Sequence, residues 1–400
     1  MSLVLFWGAT AVVLYTYVLF PAIVWLRGRL RPRPYRSAEV TPSVSMIIAA
    51  YNEAAGIRAK LDNLLSLEYP RERLEIVIAS DGSNDGTNAI VEAYASHGVR
   101  LLALPREGKH SALNAAVAAA SGEILVFSDA NSIYAPGAIR ALVRPFADPE
   151  VGGVAGNQRY LDERSGLRGD GESSYWSFDR RLKGAQSRAG NTISATGAIY
   201  AIRRSLFMPV PPGVTDDFVT STRVIAQGYR LVFAPEAVAY EPVSATSGGE
   251  FARKVRIITR GLRGVIVMRE LLNPWRHGFY ALQLFSHKVL RRLVAIPLLV
   301  LLAATPALWH AGAFYRLAAL AQGAVYGLGL LGMLLRRTSL GQLRLFSLPF
   351  FFCMVNAASL MAALNILRGR RIDRWQPQRS APEAMAGGRT EGAHSSPETT

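Results

Sequence analysis

Apolar positions along the chain fall into distinct regimes. From Leu3 to Leu26 nearly every residue is apolar, and an Arg/Pro-rich stretch follows. About 20 residues of helix cross a bilayer core, so this run is long enough to span. Its charge lies after the apolar run, and Pro21-Ala22-Ile23-Val24-Trp25 is a poor cleavage context. Residues 1–26 therefore read as a transmembrane anchor rather than a cleaved signal peptide. Residues 41–248 instead alternate short apolar runs with helical periodicity. Strands are predicted at Val44 to Ala50, Leu74 to Ala79, Val99 to Leu104 and Ile124 to Ser128. Between them come helices at Ala54 to Glu68, from Asp85-Gly86-Thr87 to near Gly98, and at His110 to Ala120. This alternation implies βαβ units and an α/β domain with a mostly parallel sheet covered on both faces. Ligands of such sheets bind beyond the carboxyl ends of the strands.

A third pattern follows. Residues 249–292 are basic and amphipathic, with Phe251, Val255, Ile258 and Leu262 on one side, which suits helices lying at a membrane surface. Residues 293–367 hold three apolar segments, at about 293–309, 315–335 and 346–367, whose prolines are tolerable in membrane helices. Three full crossings after a cytoplasmic domain would put the tail outside, yet the tail opens with Arg368-Gly369-Arg370-Arg371, which argues for inside. Either one segment falls short of a crossing or the charge rule is broken. Residues 377–400 are rich in Ser, Pro, Gly, Ala and Glu and read as disordered.

Charge changes the picture in one respect. The net charge is +16, and the basic clusters abut apolar runs: Arg27, Arg29, Arg31, Arg33 and Arg36 after the first, Arg291 and Arg292 before the second. That placement fits positive-inside flanks and anionic membrane lipid, and puts the α/β domain on the cytoplasmic side of the plasma membrane. No aromatic-interleaved basic module points to nucleic acid. The single cysteine, Cys353, excludes an intrachain disulfide and a thiolate metal site, and the six histidines show no metal-ligand spacing.

The acidic residues carry the candidate chemistry. Asp81 and Asp129 each follow a predicted strand, at the edge where ligands bind. Asp216 and Asp217 precede a helical pattern. Asp85 reads as a helix N-cap, and Asp81 taken alone could equally serve a turn with Gly82. Gly108-Lys109 is not a P-loop, because His110 stands where Ser or Thr is needed.

In their order along the chain these segments resemble glycosyltransferase family 2, over about residues 41–270. Val44-Ser45-Met46-Ile47-Ile48-Ala49-Ala50-Tyr51-Asn52-Glu53 looks like the family's first strand and its nucleotide-contacting turn. Asp81 matches the base-contacting aspartate, Gly108-Lys109-His110-Ser111-Ala112-Leu113-Asn114 the lysine segment near the diphosphate, and Asp129-Ala130-Asn131 the metal-binding Asp-x-Asp. Thr196-Gly197-Ala198 resembles the small-residue acceptor segment, and Thr215-Asp216-Asp217 the Thr-Glu-Asp type motif. The resemblance implies a GT-A fold flanked by transmembrane helices, and inverting transfer of a sugar from a nucleotide-sugar, a UDP-sugar, to a cell-envelope or extracellular polysaccharide.

The implied roles follow residue by residue. Ala50, Tyr51, Glu53, Asp81, Lys109, Asp129 and Arg256 would hold the donor. Asp129 and Asn131 would ligate Mg²⁺ or Mn²⁺, since hard oxygen donors suit those ions. Asp217 would be the catalytic base, with Asp216 helping to hold the site. Gly197, Ala198 and Trp176 would face the glycan or lipid acceptor. Two departures stand out. Asn131 replaces an aspartate, which weakens metal binding, and Arg253-Lys254-Val255-Arg256-Ile257 keeps an arginine of the processive Gln-x-x-Arg-Trp motif but neither its Gln nor its Trp. Single addition to a glycolipid is therefore an alternative, as is a non-catalytic subunit of a membrane complex.

Overall fold

The structure, a computed structural model, describes residues 1–161, 170–242 and 250–370; the tail expected to be disordered lies outside them. The first half of the α/β domain forms as the periodicity predicts. β1 (Val44–Ala50), α2 (Ala54–Leu65), β2 (Leu74–Asp81), α3 (Thr87–Glu92), β3 (Val99–Leu104), α4 (Lys109–Ala119) and β4 (Ile124–Asp129) follow in turn, after the N-terminal helix α1 (Ser2–Leu30). β3, β2, β1 and β4 pair side by side in parallel. Every residue of β1 is buried. Its alternate side chains feed two cores: Val44, Met46, Ile48 and Ala50 pack under α2, while Ile47 and Ala49 pack with Leu113 and Ala116 of α4. That two-sided burial is why the strand reads as a continuous apolar run.

The second half extends the same sheet with mixed polarity. It adds β5 (Ile133–Tyr134), α5 (Ala138–Val143), β6 (Val151–Leu161), α6 (Asp170–Arg188), β7 (Tyr200–Arg203), α7 (Asp216–Ala226) and β8 (Arg230–Pro242). The full order is β3-β2-β1-β4-β7-β6-β8-β5. β7 runs antiparallel to β4 and β6, and β5 antiparallel to β8, while β6 and β8 are parallel. The parallel run expected from the sequence is thus one half of an eight-stranded mixed sheet. β7, a four-residue strand reached after α6, runs opposite to both of its neighbours.

Three helices among the described residues are long and apolar enough to cross a membrane: α1 and, after α8 (Glu250–Val267) and α9 (Ala295–Ala304), α10 (Ala313–Leu335) and α11 (Arg344–Leu367). The segment expected at 293–309 breaks up. α9 has 10 residues, about 15 Å of helix, and Pro306 opens a separate turn, Pro306–Ala311. Taken by itself α9 is shorter than a bilayer crossing requires. The first apolar helix is packed onto the α/β domain. Phe20 and Val24 of α1 meet Leu182 and Ala185 of α6, and Arg230 of β8 donates to the carbonyls of Arg33 and Pro34 just beyond α1.

Candidate active site

The carboxyl ends of β1, β2 and β4 converge on one edge, and the turns leaving them are tied together. After β1, Asn52 takes a left-handed backbone conformation (φ 53°), which a short polar side chain tolerates. Its N–H donates to Ser83 Oγ (3.1 Å) and its Oδ1 accepts from Asn84 N–H (2.9 Å). Asp85 accepts from the N–H of Ala54 at the start of α2 (3.0 Å) and from that of Thr87 (3.1 Å). It therefore caps across two turns instead of serving α3 alone. Glu53 is buried within this turn, its N–H bonded to Thr87 Oγ1 (2.8 Å).

Asp81 ends β2, 2% exposed. One oxygen accepts from the backbone N–H groups of Glu107 and Gly108, both at 2.8 Å, and the other pairs with Arg106. The Arg106 guanidinium also lies 3.5 Å from the centre of the Tyr51 ring. Tyr51, Asp81 and Arg106 thus stand together at this sheet edge. Gly82 makes it possible: its φ is +68°, and a Cβ there would lie 2.8 Å from Arg106 Cβ. Sequence reasoning missed Arg106, although it stands two residues before the lysine segment.

At the end of β4, Lys109 Nζ bonds Asp129 Oδ1 (2.7 Å) and pairs with Asp216 Oδ2 (3.1 Å). Residues 20 and 107 positions from Lys109 therefore meet on one ammonium. Burial works to lower the Lys109 pKa, but Asp129, Asp216 and Asp217 overcome it and hold the group charged. Burial would raise Asp216, yet Lys109 and Arg260 bring it below the usual carboxylate range. Asp217 goes the other way. Burial first, then the charge of Asp216, push its carboxyl up to about 6. Two adjacent carboxylates in the first turn of α7 are thereby driven apart in basicity, the signature of an anchored charge beside a poised proton acceptor. Gly197 is pressed against Asp129, where a Cβ would come within 2.8 Å of Oδ2. Ala198 is buried, its carbonyl accepting from Ser128 Oγ (3.2 Å).

From α8, Arg260 donates through Nε (3.0 Å) and Nη2 (2.6 Å) to the carbonyl of Val214, just before the two aspartates. Arg256 lies one turn earlier on the same helix, half-buried; burial and then Arg260 and Arg253 lower its pKa. Trp176 is on α6, and its side chain lies outside the described residues.

No group of three or more His, Cys, Asp or Glu among the described residues could hold a metal by itself. Asp129 with Asn131, the pair expected to ligate, would supply hard oxygen donors to a divalent ion that takes its remaining ligands from water and substrate phosphates, the usual habit of Mg²⁺.

Residues 45–210 match the family model described as glycosyl transferase family 2. The poly-beta-1,6-N-acetyl-D-glucosamine synthase of Staphylococcus epidermidis is 28% identical over 259 residues, covering 60% of this chain and 62% of that protein. The synthase of the same name from Staphylococcus aureus strain COL matches with the same identity and coverage. The match thus spans under two thirds of these relatives. The mannosyltransferase PcManGT from Pyrobaculum calidifontis, solved in complex with GDP-Man and Mn²⁺, superposes with a TM-score of 0.68 at 26% identity, covering 92% of this chain and all of that one. Residues 45–210 thus match glycosyl transferase family 2, and the mixed sheet has the GT-A fold of the solved mannosyltransferase.

Proposed function

We propose that the protein is a membrane-held inverting glycosyltransferase that moves a sugar from a nucleotide-sugar, a UDP-sugar, to a growing cell-envelope or extracellular polysaccharide. It would act at the cytoplasmic face of the plasma membrane. The observation that carries this reading is the Lys109–Asp129–Asp216 constellation at the strand edge, with Asp217 raised beside it. Similarity to the staphylococcal poly-N-acetylglucosamine synthases supports an N-acetylhexosamine polymer; the GDP-Man bound to the solved mannosyltransferase keeps other nucleotides in the donor screen.

The parts divide as follows. Tyr51, Asp81 and Arg106 take the base, and Asp81 is already held by two backbone donors for that task. Asp129, with Asn131, holds Mg²⁺ or Mn²⁺ on the diphosphate, and that ion would supply charge stabilisation of the leaving group. Lys109 contributes a second cation there. Arg256 offers a further positive group from α8. Asp217 removes the proton from the acceptor hydroxyl as it attacks, and its raised carboxyl suits a base working near neutral pH. Attack opposite the leaving group inverts the anomeric centre.

Single addition to a lipid acceptor is the second reading. It is favoured by the absence of Gln and Trp from the α8 segment Arg253 to Ile257. Purified protein in nanodiscs, given UDP-N-acetylglucosamine, UDP-glucose or GDP-mannose with native membrane extract, tests both. Metal-dependent release of the nucleoside diphosphate with chain products supports the first reading. One-sugar lipid products support the second, and no release with any donor defeats the enzyme assignment.

A further inference from the structure

Beneath the metal-binding turn lies a buried lysine that the mechanism does not use. Lys60 occupies an inward position of α2, between Ile57 and Leu64, where its neighbours on the same face are apolar. Its side chain is fully buried. A charge held there is costly unless its donors are satisfied. The ammonium donates to Ser128 Oγ (2.7 Å) and to the carbonyl of Ser132 (2.5 Å), and lies 4.3 Å from the centre of the Tyr134 ring. Ser128 immediately precedes Asp129, and Ser132 immediately follows Asn131. One ammonium therefore holds both ends of the segment that carries the metal ligands.

Two further ties fix the same turn. Ser128 Oγ lies 3.2 Å from the Ala198 carbonyl as a donor, joining the turn to the segment pressed on Asp129. Ser132 Oγ donates to Glu241 Oε1 (2.9 Å), whose other oxygen accepts from Gln158. Asn63, one turn along α2 from Lys60, holds Tyr134 in both directions, accepting from its N–H (2.7 Å) and donating to its carbonyl (2.9 Å). The turn is thus clasped from below by α2 at Lys60 and Asn63.

We propose that Lys60 is a positioning residue for the metal ligands, fixing the 128–132 turn so that Asp129 and Asn131 present their oxygens to a divalent cation on the donor diphosphate. A turn whose Asn131 has no charge to contribute depends on such preorganisation more than one with two carboxylates. The inference rests on the glycosyltransferase reading for its cation, and deepens it.

The test is the Lys60→Met variant of the whole protein in nanodiscs, with free Mn²⁺ read by electron paramagnetic resonance in the presence of UDP. Methionine fills much the same space but leaves the Ser132 carbonyl and Ser128 Oγ without their buried donor, so thermal stability should fall modestly while the fold is kept. Mn²⁺ affinity should fall about 10- to 100-fold, as when an outer partner of a metal ligand is lost. UDP binding in EDTA should stay unchanged, and the Mn²⁺ concentration for half-maximal turnover should rise in step. Ser128→Ala cuts the same tie with little change of volume and should weaken Mn²⁺ in the same direction; it decides the matter should Lys60→Met fail to fold. Wild-type Mn²⁺ affinity in a folded variant overturns the inference while leaving the transferase reading standing. So does a parallel loss of stability, UDP binding and turnover in Ser128→Ala. Absence of Mn²⁺ binding by the wild-type protein with UDP would defeat the metal assignment itself.

Discussion

Asp217 and Lys109 show how a few charges set the chemistry. Burial and the Asp216 charge raise the Asp217 carboxyl to about 6. A base works only when deprotonated, so turnover should be full above that value and fall as pH drops through it. A kcat/KM profile between pH 5 and 8 checks this. Lys109 opposes the rise, so Lys109→Met should move the acid limb to higher pH. It should also destabilise the fold by about 3–5 kcal/mol, because it strands partly buried carboxylates; chemical denaturation measures the second effect. Part of this was readable from residue types. Asp81, Asp129, Asp216 and Asp217 stood at strand and helix ends, where an α/β sheet places ligands. Arg106 and Lys60 were not readable. An arginine in a loop and a lysine in an amphipathic helix look like solvated charge until the tertiary contacts are known.

At the scale of elements, the turns after β1, β2 and β4 are held by side chains from distant segments. Gly82 and Gly197 are points of close approach, against Arg106 and Asp129. Gly197→Ala should push Asp129 out of place, costing about 1–3 kcal/mol of stability and raising the metal requirement. Thermal melts and metal titration of turnover would show it. Gly82→Ala combines the same crowding with a left-handed backbone, and should weaken binding of the nucleotide base more than that of free diphosphate. The βαβ half was legible because β1 to β4 are apolar runs set between helical periods. The other half was not: β6 carries Gly152, Gly153 and Gly156, which depress strand propensity, and its pairing with β8 shifts register twice. Such pairings depend on contacts far apart in sequence, which no local pattern records.

For the whole molecule, α1 packs on the sheet domain through α6, and α11 packs along α8. Gly28 of α1 sits so near the Ala185 carbonyl that a Cβ would lie 2.8 Å from it. The protein should therefore stay with membranes through alkaline carbonate and high-salt washes and leave only with detergent. Release by salt alone would mean that the apolar helices do not span. The apolar length of α10 and α11 was plain in the sequence. The early end of α9 was signalled only by Pro306, since prolines in membrane helices often kink without ending them.

If the carboxylates gathered around Lys109 perform metal-dependent sugar transfer, nucleoside diphosphate release under saturating donor, measured for the wild-type protein and Asp217→Asn with and without Mn²⁺, will show it. Release should require Mn²⁺ and fall at least about 100-fold in the variant, the scale of a lost general base, with donor affinity retained. Equal release by Asp217→Asn, or release indifferent to metal, would contradict it.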